Sequence, residues 1–188
     1  MGRKKDDITE TIMKNAAEQK VSRESAEARK DYDDLARSVG VRLPGDPAQV
    51  RLNKVIFVGR HSAEMCAPWS DWAVISLNEP DSCDGPAKIA DGWHSVLRLS
   101  FHDVTPKSDG MDALIRYADA DDAKQIVEFV RRVAPEVSGI MVHCRAGISR
   151  SAAVVKWISG QYRIPFSWRY DKFNEHVYQL LCEAGNQK

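Results

Sequence analysis

The sequence predicts an α/β fold: a central, largely parallel or mixed sheet of about four or five strands flanked by helices, preceded by an N-terminal helical arm. Two observations carry this. From about residue 50 onward, short apolar runs of strand length alternate with longer stretches of helical periodicity. Before that point the composition changes: residues 1–49 are dense in Lys, Arg, Asp, Glu and Ala, with no proline until Pro44. The chain therefore divides into a charged arm with its turn, 1–49, and a body, 50–188.

In the arm, Ile8 and Ile12 stand one helical turn apart, but the apolar stripe then lapses, so the segment reads as a weakly amphipathic helix. Its charge is balanced, which fits a solvated helix better than an electrostatic tether. Residues 44–47, Pro-Gly-Asp-Pro, mark a turn into the body. There, 55–58 and 73–77 are short β-branched runs that read as buried strands, and 95–101 alternates like a half-buried one. Trp-Ser-Asp at 69–71 reads as a turn. Residues 123–133 read as a helix, opened by the acidic cluster 119–122 and stopped before Pro135. A fourth strand spans 139–143. A helix follows over about 149–159, with Gly160 placed to cap it, and a last helix over about 167–183, with Ser167 as its cap and Phe173, Val177, Leu180 and Leu181 facing the core.

The whole chain has 188 residues, with Lys plus Arg at 27 and Asp plus Glu at 27, so it has no global basic field for nucleic acid or anionic lipid. No apolar run reaches the roughly 18 residues of a membrane span. The four cysteines lack paired spacing and the start is polar, so a reducing, cytoplasmic setting is expected.

The chemistry concentrates at 143–151, His-Cys-Arg-Ala-Gly-Ile-Ser-Arg-Ser, where a strand turns into a helix. The first amides of a helix lack intrahelical partners and carry the positive end of its dipole, which makes such a junction an anion site. Gly147 suits a loop whose backbone must approach the anion closely. Arg150, six positions after Cys144, offers a planar fork to two phosphate oxygens. Cys144 at the floor should be shifted towards its thiolate and so act as a nucleophile. Cys66, Cys83 and Cys182 have no arginine at that offset.

This string resembles the His-Cys-x5-Arg-Ser/Thr signature of the protein tyrosine phosphatase superfamily, most closely its small dual-specificity branch. The resemblance covers about 50–182 and is specific in the nonapeptide; elsewhere, including Asn174, it is a matter of pattern. It implies a cysteine-phosphatase-like sheet and hydrolysis of phosphotyrosine in proteins, extending to phosphoserine and phosphothreonine, through a phosphocysteine without metal or cofactor. Carried over, Cys144 is the nucleophile, Arg150 binds phosphate and the transition state, and the amides of Arg145, Ala146, Gly147, Ile148, Ser149 and Arg150 line the cradle. Ser151 eases departure of the thiolate, and His143 orders the loop. The partner implied is a phosphorylated protein. The same chemistry on a phosphoinositide or an RNA 5′ end, and phosphate binding without turnover, remain alternatives. Arg145 is the only additional cation in the loop, which favours protein monoesters over polyanionic lipids. The resemblance also implies that Cys83 could trap Cys144 as a disulfide, as in some relatives.

A phosphatase of this kind needs a general acid upstream of the cysteine. Asp103 is favoured because it leaves the end of the 95–101 strand, the edge at which open α/β sheets place their sites. It lies 41 positions before Cys144, several more than the family usually shows, and Asp109 and Asp112 fit that spacing better. His102 beside it is read as an orienting group.

Overall fold

The structure, a computed structural model, describes residues 50–106 and 113–186. The N-terminal arm, Pro44, Asp109 and Asp112 lie outside the described residues. In chain order the elements are β1 (Lys54–Gly59), α1 (Arg60–Met65), β2 (Trp72–Asn78), β3 (Ser95–Ser100), α2 (Ala120–Val133), β4 (Gly139–Cys144), α3 (Arg150–Tyr162) and α4 (Glu175–Asn186). The four strands form one sheet in the order β1-β4-β2-β3, and every neighbouring pair is parallel. This is the expected α/β class, with the sheet at the lower end of the expected strand number.

The period-2 alternation of the central strands separates two cores. Ala73, Ile75 and Leu77 of β2 and Ile140 and Val142 of β4 point to the side packed by α2, α3 and α4. Trp72, Val74 and Met141 point the other way, into a smaller cluster with Ala63, Ala87, Ile89 and Trp93. Among the described residues, that second face is covered by the six-residue α1 and by the irregular segment between β2 and β3. Gly139 permits this arrangement. It pairs with Trp72 across the strands, and a Cβ there would sit 2.3 Å from the indole ring.

Helix boundaries follow local chemistry. Asp119 caps α2: its carboxylate accepts from the Asp122 amide while the Asp122 side chain accepts from the Asp119 amide, a reciprocal box. Arg116 pairs with the buried Asp122 at 2.8 Å. Trp69 to Asp71 form the expected turn, and Asp71 accepts from the Ser138 hydroxyl ahead of β4.

The structure departs from expectation at three helices. Helix α1 has no counterpart among the expected elements, because six residues are too few for a periodic signal. Helix α3 passes through Gly160 to Tyr162 and ends on Arg163, which takes the left-handed conformation at φ 56°. Helix α4 starts at Glu175, not near 167. The Ser167 carbonyl accepts from the Tyr170 amide in a turn, and the cap is Asn174, whose side-chain oxygen accepts from the Val177 amide at 3.0 Å.

Because all four strands run in parallel, Gly59, Asn78, Ser100 and Cys144 end at one edge of the sheet. The loops leaving those ends build the site.

Candidate active site

Cys144 is the last residue of β4 and Arg150 the first of α3, so the nonapeptide occupies a strand-to-helix junction as its sequence suggests. The loop is held from outside by its carbonyls. The Arg60 amide donates to Arg145 O at 3.1 Å, the Tyr170 hydroxyl to Ile148 O at 2.7 Å, and the Asn174 amide to Ser149 O at 3.2 Å. With those carbonyls turned outward, amides turn inward. The Gly147 amide lies 3.3 Å from Cys144 Sγ, and the amides of Ile148 and Ser151 also act on it. Gly147 makes the turn possible: its φ is +71°, and a Cβ would fall 2.2 Å from the Gly59 nitrogen.

Cys144 is 1% exposed. Burial pushes its thiol upward, but the Ser151 hydroxyl at 3.2 Å and the amides of Ser151, Ile148 and Gly147 outweigh it, so the thiol titrates below its ordinary range. A thiolate is thus favoured at the floor of the loop. His143, one residue earlier, is also 1% exposed, and burial lowers its pKa to about 4. Its Nε2 meets Ser76 Oγ at 2.7 Å, between residues paired in register across β4 and β2. Neutral and interior, His143 ties the strand that ends in Cys144 to its neighbour.

Arg150 is the largest fully buried side chain of the described residues. Its Nη1 donates to Phe101 O at 2.6 Å and Asn78 O at 3.2 Å, and its Nη2 to Glu79 Oε1 at 3.1 Å. Nε has no hydrogen-bond partner; the nearest ion-pair oxygen is Asp103 Oδ2, 3.8 Å away. A guanidinium has five N–H bonds, so this arrangement leaves two, on Nε and Nη2, for an anion. Glu79 also binds Arg145 Nη1 at 2.9 Å, so one carboxylate holds both arginines of the loop.

Asp103 follows β3 and reaches this cluster. Its Oδ1 accepts from Ser149 Oγ at 2.8 Å and from Asn174 Nδ2 at 3.0 Å. Ser149, the residue before α3, therefore directs its hydroxyl to Asp103 and makes no side-chain cap of the helix. His102 turns elsewhere: Nδ1 accepts from the Arg116 amide at 3.0 Å, which assigns the ring proton to Nε2, facing Asp81 Oδ2 at 3.0 Å. It joins two loops. Cys83 is exposed, and all four cysteines are free thiols.

The structure thus brings together Cys144, Arg145, Gly147, Ile148, Ser149, Arg150, Ser151 and Asp103, with Ala146 in the same loop against Gly59. Sequence reasoning missed Glu79 and Tyr170. Glu79 directly follows β2, and the rule that places sites at the carboxyl edge of parallel strands could have flagged it. Tyr170 carries no local signal. Beside the loop, on its Arg145 flank, a cavity of about 570 Å³ is lined by Arg60, Glu64, Asn78, Glu79, His143 and Arg145 among others. Among the described residues, no group of three or more His, Cys, Asp or Glu side chains converges as metal ligands would.

No protein-family model matches the chain, and no curated protein matches it. Among solved structures it is similar to a human tyrosine phosphatase-like serine/threonine/tyrosine-interacting protein, at 18% identity over 61% of this chain and 76% of that one, with a TM-score of 0.41. It is also similar to Tk-PTP in its active form, at 15% identity over 77% of this chain and 100% of that one, with a TM-score of 0.44.

Proposed function

We propose that the chain is a cysteine-dependent phosphatase that hydrolyses phosphate monoesters on proteins, phosphotyrosine foremost, through a phosphocysteine on Cys144. The observation that carries the reading is the combination of a thiol pushed towards its thiolate by inward amides and a buried arginine with donors left open beside it. A thiolate alone would suit many chemistries; a fixed cation and inward N–H groups around it suit a tetrahedral dianion.

In the first step the Cys144 thiolate attacks phosphorus, the P–O bond to the leaving group breaks, and protonated Asp103 gives its proton to the departing oxygen. Arg150 and the loop amides hold the non-bridging oxygens as charge redistributes. In the second step water attacks phosphorus, the Asp103 carboxylate takes the water proton, and the S–P bond breaks. The Ser151 hydroxyl donates to the thiolate as it departs, for which its 3.2 Å distance to Sγ is suitable. Protein monoesters are favoured over phosphoinositides because Arg145, the one further cation of the loop, is already paired with Glu79. A thiolate of this kind needs reducing surroundings, which supports a cytoplasmic setting; no described helix is long and apolar enough to cross a membrane.

The test is hydrolysis of a chromogenic aryl phosphate by wild type and Cys144→Ser, with chelator present. The wild type turns over and the variant falls to background. Equal turnover by the two proteins would sink the proposal, and a chelator-sensitive wild type would point to a metal phosphatase. Binding of phosphopeptide with no turnover by wild type would leave phosphate recognition as the function.

A further inference from the structure

We propose that Asn174 is a positioning residue for Asp103, holding the acid over the phosphate loop and fixing which of its two oxygens carries the proton. The proposal rests on the reading of Asp103 as the acid. Asn174 is 6% exposed, and its side-chain oxygen, side-chain nitrogen and backbone amide each meet a different part of the structure. Its side-chain oxygen accepts from the Val177 amide at 3.0 Å and so caps α4. Its Nδ2 donates to Asp103 Oδ1 at 3.0 Å, and its own amide donates to Ser149 O at 3.2 Å. The cap removes the usual ambiguity of an asparagine side chain. The Val177 N–H requires the oxygen on that side, so the NH₂ must face Asp103.

One residue thereby locks the start of α4, the phosphate loop and the acid to each other. Among the described residues, the groups facing Asp103 are the Ser149 hydroxyl from the loop, Arg150 Nε from α3 at 3.8 Å, and Asn174 from the start of α4. Cys144 belongs to the same loop as Ser149. The neighbouring His102 is turned away to Asp81. Ser149 and Asn174 both donate to the same carboxylate oxygen, Oδ1. That leaves Oδ2, the oxygen nearer Arg150, to carry the proton that is transferred.

Two substitutions separate this role from helix capping. Aspartate caps helices as well as asparagine does, so Asn174→Asp keeps the bond to Val177 but sets a carboxylate oxygen where the donor stood. Two carboxylates at that distance resist ionising together, so the pair keeps a proton to higher pH. Asn174→Ser also caps, but removes the donor without adding charge. A carboxylate that loses a donor is less favoured, so the shift has the same sign and is smaller.

The experiment is the pH profile of kcat for phenyl phosphate with the full chain and both variants, alongside melting temperatures and a carboxyl-carbon NMR titration of Asp103, which needs no turnover. The limb on which activity falls with rising pH moves up by about one pH unit or more in Asn174→Asp and by less in Asn174→Ser, with melting temperatures near wild type. The Asp103 titration moves in step. An unmoved Asp103 titration, or a kinetic limb that stays put while the titration moves, overturns the role; the second result would also remove Asp103 as the acid. A wild type that performs no better than Cys144→Ser fails the phosphatase reading itself and takes the proposal with it.

Discussion

Cys144 is buried, yet its thiol titrates low, and these facts pull in opposite directions. Desolvation favours the neutral thiol, while a hydroxyl and three inward amides favour the thiolate and win. Ser151 is the part of that balance a single substitution can remove. In Ser151→Ala, alkylation of Cys144 by iodoacetate follows a titration midpoint moved to higher pH. Hydrolysis of an aryl phosphate shows a burst followed by a steady rate slowed roughly 10- to 100-fold, since a hydrogen bond to a charged group is worth about 1.5–3 kcal/mol. A midpoint and a steady rate equal to wild type would show that the 3.2 Å contact does not serve the thiolate. At this scale the meeting of Cys144, Gly147 and Arg150 in one loop was legible in the sequence, because it depends on spacing within the nonapeptide, whereas Ser151 was singled out only by the resemblance. Glu79 and Tyr170 were not legible. Glu79 lies 66 positions from Arg145 and Tyr170 lies 22 from Ile148, and neither separation is a characteristic offset.

Helices α3 and α4 show how capping, and not periodicity, sets where an element starts and stops. Gly160, expected to end α3, lies inside it; the helix runs on through Gln161 and Tyr162, and the left-handed position falls on Arg163. A left-handed residue with a side chain costs about 1–2 kcal/mol that glycine avoids. Arg163→Gly therefore stabilises the protein by about 1 kcal/mol, less what glycine adds to the freedom of the unfolded chain, and raises the melting temperature by a few degrees. A lowered melting temperature would mean that the arginine side chain holds the turn. In α4 the apolar spacing around Val177 and Leu181 was readable, and both are buried, but the start was not. Asn174 caps the helix while its other groups meet Asp103 and the Ser149 carbonyl, and those partners are remote in the chain.

Across the whole molecule, His143 couples the site to stability. Its folded pKa of about 4 lies below the ordinary value of 6.5, so between those values the unfolded chain binds more protons than the folded one. Its contribution is therefore fully present above about pH 6.5 and is lost as pH falls towards 4. The difference amounts to about 3 kcal/mol. Urea unfolding of wild type and His143→Gln at about pH 7 and about pH 4.5 checks this: wild type loses more stability than the variant over that interval, whatever the variant's stability at neutral pH. Equal losses would show that the ring does not stay neutral in the folded protein. At this largest scale the division between chain and fold is plain. The alternation of strands and helices, the strand-to-helix setting of the nonapeptide and the offset between Cys144 and Arg150 are written in the linear chain, because each is a local matter of periodicity, turn chemistry or spacing. The strand order β1-β4-β2-β3, the meeting of Asp103 with Ser149 and Asn174, and the carboxylate of Glu79 between two arginines emerge when the chain is folded. Those contacts join residues far apart in the chain, and they form because a parallel sheet delivers every strand's carboxyl end to one edge, where buried polar groups must find partners among whatever the neighbouring loops supply.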